Sequence, residues 1–164
     1  MASRSKPGAA RSRAPTAPAA GASSSRLDLG PLPELIGYAL RRAQLAVFQD
    51  FLQTMAALDI RPAQFSVLLL IEVNPGVSQT AISEALGIKT ANLAVMLNAL
   101  EARGYAKRRP GATDRRSHAL HLTPQGKALL RQLHERVADH EQRQVARLGP
   151  ADKAQLLKLL AKLT

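Results

Sequence analysis

Between Arg103 and Arg116 the chain carries Arg103, Lys107, Arg108, Arg109, Arg115 and Arg116 against a single acid, Asp114. Guanidinium and ammonium groups are poor proton carriers near neutral pH but good donors to phosphate, so this cluster suits a polyanion. A second set lies just before it: Lys89, Thr90, Ala91 and Asn92, with Asn98 further along. Asparagine can pair in bidentate fashion with adenine, and the threonine methyl group can contact thymine. Both sets point to nucleic-acid readout. The histidines suggest no chemistry. His118 and His121 are three apart on an expected strand and point to opposite faces. His134 and His140 are six apart on an expected helix, which is not the spacing of a metal-binding pair. All four are expected at the surface. No phosphate-binding glycine loop and no Ser/His/Asp arrangement is present, so neither an enzyme nor a metal or cofactor site is expected.

The elements that would hold these residues can be read in order. Apolar residues recur at helical spacing from Leu32 to Leu58, with Arg41, Arg42, Gln49 and Asp50 on the opposite side. Pro62 suits the first turn of a second helix running to Val73, which Asn74-Pro75-Gly76 ends. Ser78 can cap a short helix over Gln79–Leu86, and Gly87 stops it. A fourth helix follows from Lys89 to Arg103. Tyr105 to Arg109 and Ser117 to Leu122 read as a hairpin, Thr123-Pro124 starts a helix to Arg147, and Asp152 to Leu163 forms the last. The expected fold is mainly α with a small β-hairpin, in the order α-α-α-α-β-β-α-α. The third and fourth helices form a helix-turn-helix, and the one-sided charge makes the hairpin a wing that can reach a minor groove.

Composition agrees with this assignment. The 164 residues carry a formal charge of +11, with a sequence pI near 11.1 and 46% hydrophobic residues. Residues 1–30 are rich in Ala, Ser, Pro and Arg and read as a disordered basic tail, either a DNA-binding arm or an unselected segment. The remainder is still basic. No cysteine is present, which excludes disulfides, thiolate metal sites and a thiol-based switch. No apolar run approaches the ~20 residues of a membrane span, and no secretory signal opens the chain, so the cytoplasm is the expected location.

The stretch from Ile60 to Gly126 resembles the multiple-antibiotic-resistance regulator (MarR) family of bacterial transcription factors. The matching residues are Leu86-Gly87-Ile88, Leu97, Leu100-Glu101, Arg103-Gly104-Tyr105, Arg108-Arg109-Pro110, Asp114-Arg115-Arg116 and Leu122-Thr123-Pro124-Gln125-Gly126. The resemblance implies a homodimer joined by its terminal helices, repressing transcription until a small ligand releases it from its operator. It also implies that Arg116 enters the minor groove at the wing tip, with Asp114 orienting the wing. One departure stands out: many members carry arginine where this chain has Val95.

Residues 31–60 and 124–164 are then the expected dimerisation segments, flanking a DNA-binding domain over 61–123. Leu129, Leu130, Leu133 and Val137, with Leu156, Leu157, Leu160 and Leu163, supply apolar surface for pairing. The resemblance places an effector pocket between these parts, near Tyr38, Arg41, Arg42, Phe48, Gln64, Phe65 and Leu68. Apolar walls with one or two arginines suit an aromatic acid or its coenzyme A thioester. The alternative is an architectural DNA-binding protein, which would need no effector and would bind random duplex nearly as well as any operator.

Overall fold

The computed structural model describes residues 27–110 and 118–163. Helix α1 (Ile36–Thr54) leads into α2 (Pro62–Val73), a two-residue strand β1 (Val77–Ser78), α3 (Gln79–Leu86) and α4 (Thr90–Ala102). Strands β2 (Ala106–Pro110) and β3 (His118–Leu122) follow, and α5 (Pro124–Leu148) and α6 (Pro150–Leu160) complete the chain. The expected helix from Leu32 to Leu58 is shorter at both ends, where 3₁₀ turns occupy Leu32–Glu34 and Ala56–Leu58. Leu35, extended at φ −86° and ψ 126°, separates the first turn from α1, and Asp59 adopts a left-handed φ of 48° that reverses the chain.

Among the described residues the sheet holds three strands rather than two, in the order β1-β3-β2 and antiparallel throughout. Val77 pairs with Leu120 and Ser78 with Ala119. Two residues carry too little alternation to read as a strand. They pair because Gly76 N–H reaches Leu120 O at 2.8 Å and brings the chain alongside β3.

Leu68, Ile71, Ile82, Leu93, Leu97, Leu100, Leu120, Leu130 and Leu133 are fully buried together, so one core joins α2, α3, α4, the sheet and α5. This corrects part of the dimer expectation. Leu129, Leu130 and Leu133 are buried within their own chain, where α5 packs on α1 and α2. The apolar surface left uncovered lies elsewhere: on α1 at Ile36, Leu40, Leu45 and Phe48, and on α6 at Leu156, Leu157 and Leu159.

A tight junction explains the run Leu122-Thr123-Pro124-Gln125-Gly126. Thr123 Oγ1 donates to Gly104 O at 2.5 Å and accepts from Gly126 N at 3.0 Å, capping α5 while holding the end of α4. A Cβ on Gly126 would sit 1.9 Å from Tyr105 O, so only glycine lets the first turn of α5 pass this backbone.

Candidate nucleic-acid interface

Helix α3 begins with Ser78, whose hydroxyl accepts from Ala81 N at 3.1 Å, and ends at Gly87 with φ 60°. The left-handed glycine turns the chain directly into α4. Ser83, buried, donates its hydroxyl to Ile88 O and lies 3.2 Å from Thr90 Oγ1. Gln79 Nε2 donates to Thr90 O at 3.1 Å. The start of α4 is therefore held by side chains of α3.

Helix α4 buries Leu93, Leu97 and Leu100 and exposes the opposite stripe. Lys89, Thr90, Ala91 and Asn92 lie exposed at its N-terminal end, and Asn98 is exposed two turns along. The structure thus brings all five expected recognition residues to one open end and face. The Thr90 hydroxyl is engaged with Ser83. Between Asn92 and Asn98 stands Val95, 71% exposed.

The wing divides its cations by strand alternation. In the register of β2 with β3, Ala106 faces Leu122 and Arg108 faces Leu120, which places Arg108 on the buried side of the sheet. There its guanidinium meets the Glu101 carboxylate and donates to Asn98 Oδ1 at 3.0 Å, while Glu101 Oε1 accepts from Arg108 N at 2.7 Å. Lys107 and Arg109 alternate to the other face, opposite His121 and Ala119. Arg103, counted above with the wing, turns the other way. It donates to Asp59 O at 2.8 Å and Leu58 O at 3.1 Å and sits 5.0 Å over the Tyr105 ring. Arg103 and Arg108 are fold residues first. Asp114, Arg115 and Arg116 lie outside the described residues, as does residues 1–26 of the expected tail.

These two geometries together, a helix pair joined at Gly87 and a strand pair tied to its second helix, form a winged helix-turn-helix. A sequence model described as the MarR family matches residues 58–117. The transcriptional repressor CouR, solved bound to a 23-mer DNA duplex, is 49% identical, with a TM-score of 0.80 over 85% of this chain and 99% of that one. The chain belongs to the MarR family. This MarR-family protein is a DNA-binding transcriptional regulator and not an enzyme. CouR bound to p-coumaroyl-CoA superposes with a TM-score of 0.79 at 46% identity, over 84% of this chain and 97% of that one. A putative transcriptional regulatory protein for the hcr operon of Thauera aromatica is 33% identical over 135 residues, 82% of this chain and 81% of the relative.

The regulator also has a cavity of about 760 Å³ against its helix-turn-helix, lined by Phe48 and Leu52 of α1, Arg61, Ala63 and Ser66 around the start of α2, and Leu86 and Ile88 of the turn. Of the seven residues expected there, Phe48 alone lines it. Leu68 is fully buried in the core, Phe65 packs on Phe51 and His134, and the Gln64 side chain accepts from Arg61 N at 2.9 Å. Arg41 and Arg42 are exposed, Arg41 bonding Gln44 at 3.3 Å, and Tyr38 is half-buried. The helical rotation of α2 explains the difference, because Phe65 and Leu68 share the face toward α5 while Ala63 and Ser66 face α1 and the turn. Sequence reasoning missed Arg61, which precedes Pro62 and shows no periodicity to reveal its direction.

The histidines need a correction as well. His140 is 4% exposed and its Nδ1 lies 2.6 Å from Asp50 Oδ2, so it is a buried contact between α1 and α5. His134 is exposed and lies 3.1 Å from Glu72 Oε2. Among the described residues no group of three potential ligands could hold a metal ion, and no helix is long and apolar enough to cross a membrane.

Proposed function

We propose that this regulator acts in the cytoplasm as a repressor, binds a pseudo-palindromic operator as a two-fold dimer, and is released by an aromatic acyl-coenzyme A thioester. The observation that carries this reading is the cavity's position. Leu86 and Ile88 are both its wall and the two sides of the turn that aims α4. A ring wedged against them acts directly on the recognition helix. Apolar walls suit the ring, and Arg61 is the cation within reach of a carbonyl or phenolic oxygen. CouR, bound to p-coumaroyl-CoA in one structure and to duplex DNA in another, supports the same ligand class here.

The uncovered leucines of α1 and α6 would join two copies, with 31–60 and 124–164 as dimerisation segments around the DNA-binding domain over 61–123. A two-fold dimer sets half-sites about one helical turn apart. Lys89, Asn92 and Asn98 would face bases and phosphates of the major groove, with Lys107 and Arg109 leading to a wing tip formed by Asp114, Arg115 and Arg116. The effector lowers operator affinity only by its preference for the form whose helices are wrongly spaced.

The experiment is selection of sites from a random duplex library at about 150 mM salt, where non-specific binding is weakened. An enriched palindrome, and its release by p-coumaroyl-CoA but not by free coenzyme A, is the expected result. Salt-sensitive binding with no enriched sequence would replace this reading with an architectural one. Enrichment without release would overturn the effector class alone.

A further inference from the structure

We infer that Val95 and Asn98 form one thymine-reading unit on α4, with Arg108 as the positioning residue behind it. The inference rests on the operator reading above. Asn98 and Val95 are three apart and share the exposed stripe that also holds Ala91, Ala99 and Ala102. That stripe bears no charge. At 71% exposure Val95 contributes nothing to the core, and a β-branched residue in a helix interior is less favourable than alanine. Its methyl groups are therefore free for a contact made outside the chain.

The orientation of Asn98 identifies that contact. Arg108 Nη1 lies 3.0 Å from Asn98 Oδ1 and can only donate, so the amide oxygen is turned toward the wing. Glu101 in turn holds Arg108 through its backbone and its guanidinium. The amide NH₂ of Asn98 is then the group left to face outward. Bidentate pairing with adenine needs an acceptor and a donor side by side, and this arrangement withholds the acceptor. A donor beside an apolar side chain instead matches thymine, which presents the O4 acceptor next to the C5 methyl group on its major-groove edge.

The test uses the full-length protein on the duplex enriched by selection. Each thymine is replaced in turn by uracil, which removes only the methyl group. Replacement at either member of one symmetry-related pair of thymines should lower wild-type affinity about fourfold, and Val95→Ala should be insensitive at both. At the same base pair the wild type should prefer thymine over cytosine about tenfold. Asn98→Asp keeps an acceptor for Arg108 but presents an acceptor outward, so its preference should move to cytosine, whose N4 amino group donates. Both substitutions lie on the exposed face, and unchanged melting temperatures would show that the fold is intact. A uracil penalty equal in wild type and Val95→Ala, or retained thymine preference in Asn98→Asp, would overturn the inference while leaving the regulator reading in place. If no duplex is enriched, the operator reading fails first and the thymine assignment falls with it.

Discussion

His140 of α5 and Asp50 of α1, 90 residues apart in sequence, meet at 2.6 Å beneath the edge of Phe51. Arg143 joins them, with Nε and Nη2 both 3.2 Å from the Asp50 carboxylate, and Gln144 donates to the same group at 3.0 Å. This is the polar fastening between the first helix and the long fifth helix. It carries a pH consequence.

The Arg143 hydrogen bonds hold the Asp50 carboxyl below its usual pKa of 3.8, with His140 adding to the effect against the opposing cost of burial. A depressed folded-state pKa means stability that is present above the unfolded value and lost as pH falls through the folded one. Urea unfolding of Asp50→Asn at pH 7 should show a lower midpoint than wild type. The gap should begin to narrow as pH falls below the unfolded value near 4 and close only below the depressed folded-state value, where the native carboxylate takes up its proton. A gap of constant size across that range would refute the linkage.

Gly126 and Thr123 separate two kinds of damage at one junction. Gly126→Ala drives a Cβ into the Tyr105 carbonyl, a backbone atom that cannot step aside, and should cost about 3 kcal/mol or prevent folding. Thr123→Ala removes a cap and should cost about 1–2 kcal/mol. Thermal and chemical denaturation of the two variants would rank them.

The arginines near the wing should divide by their response to salt. Arg109→Met, on the outer face of β2, should lower the slope of log affinity against log salt by about one for each protomer that loses a phosphate contact. Arg103→Met should leave that slope unchanged. It should lower stability by about 1–3 kcal/mol, because two carbonyls near the end of the Ala56–Leu58 turn lose a charged donor. Fluorescence anisotropy at several salt concentrations, paired with unfolding curves, distinguishes them.

Pocket and core can be told apart on neighbouring helices. Phe48→Ala should weaken release by p-coumaroyl-CoA with little change in stability, since Phe48 is exposed beside the cavity. Leu68→Ala should cost about 2–5 kcal/mol because its side chain is wholly enclosed. Isothermal titration with the thioester and urea unfolding would settle which residue belongs to which role.

The order of helices, the Gly87 turn, the Thr123 cap and the exposed row from Lys89 to Asn92 were all legible in the chain, because each is a local matter. Caps, left-handed glycines and apolar periodicity act within a few residues and leave a mark at fixed spacing. Pairing across the chain leaves no such mark. The strand at Val77–Ser78 exists because β3 lies beside it, and Arg108 turns inward because its register with Leu120 places it against Glu101. The charge count near the wing could not reveal that two of its cations are spent on the fold. Nor could helical spacing alone divide the leucines of α5, which the core takes, from those of α6, which it leaves open. Which partner each face meets is set by long-range packing, and that is what the tertiary structure decided.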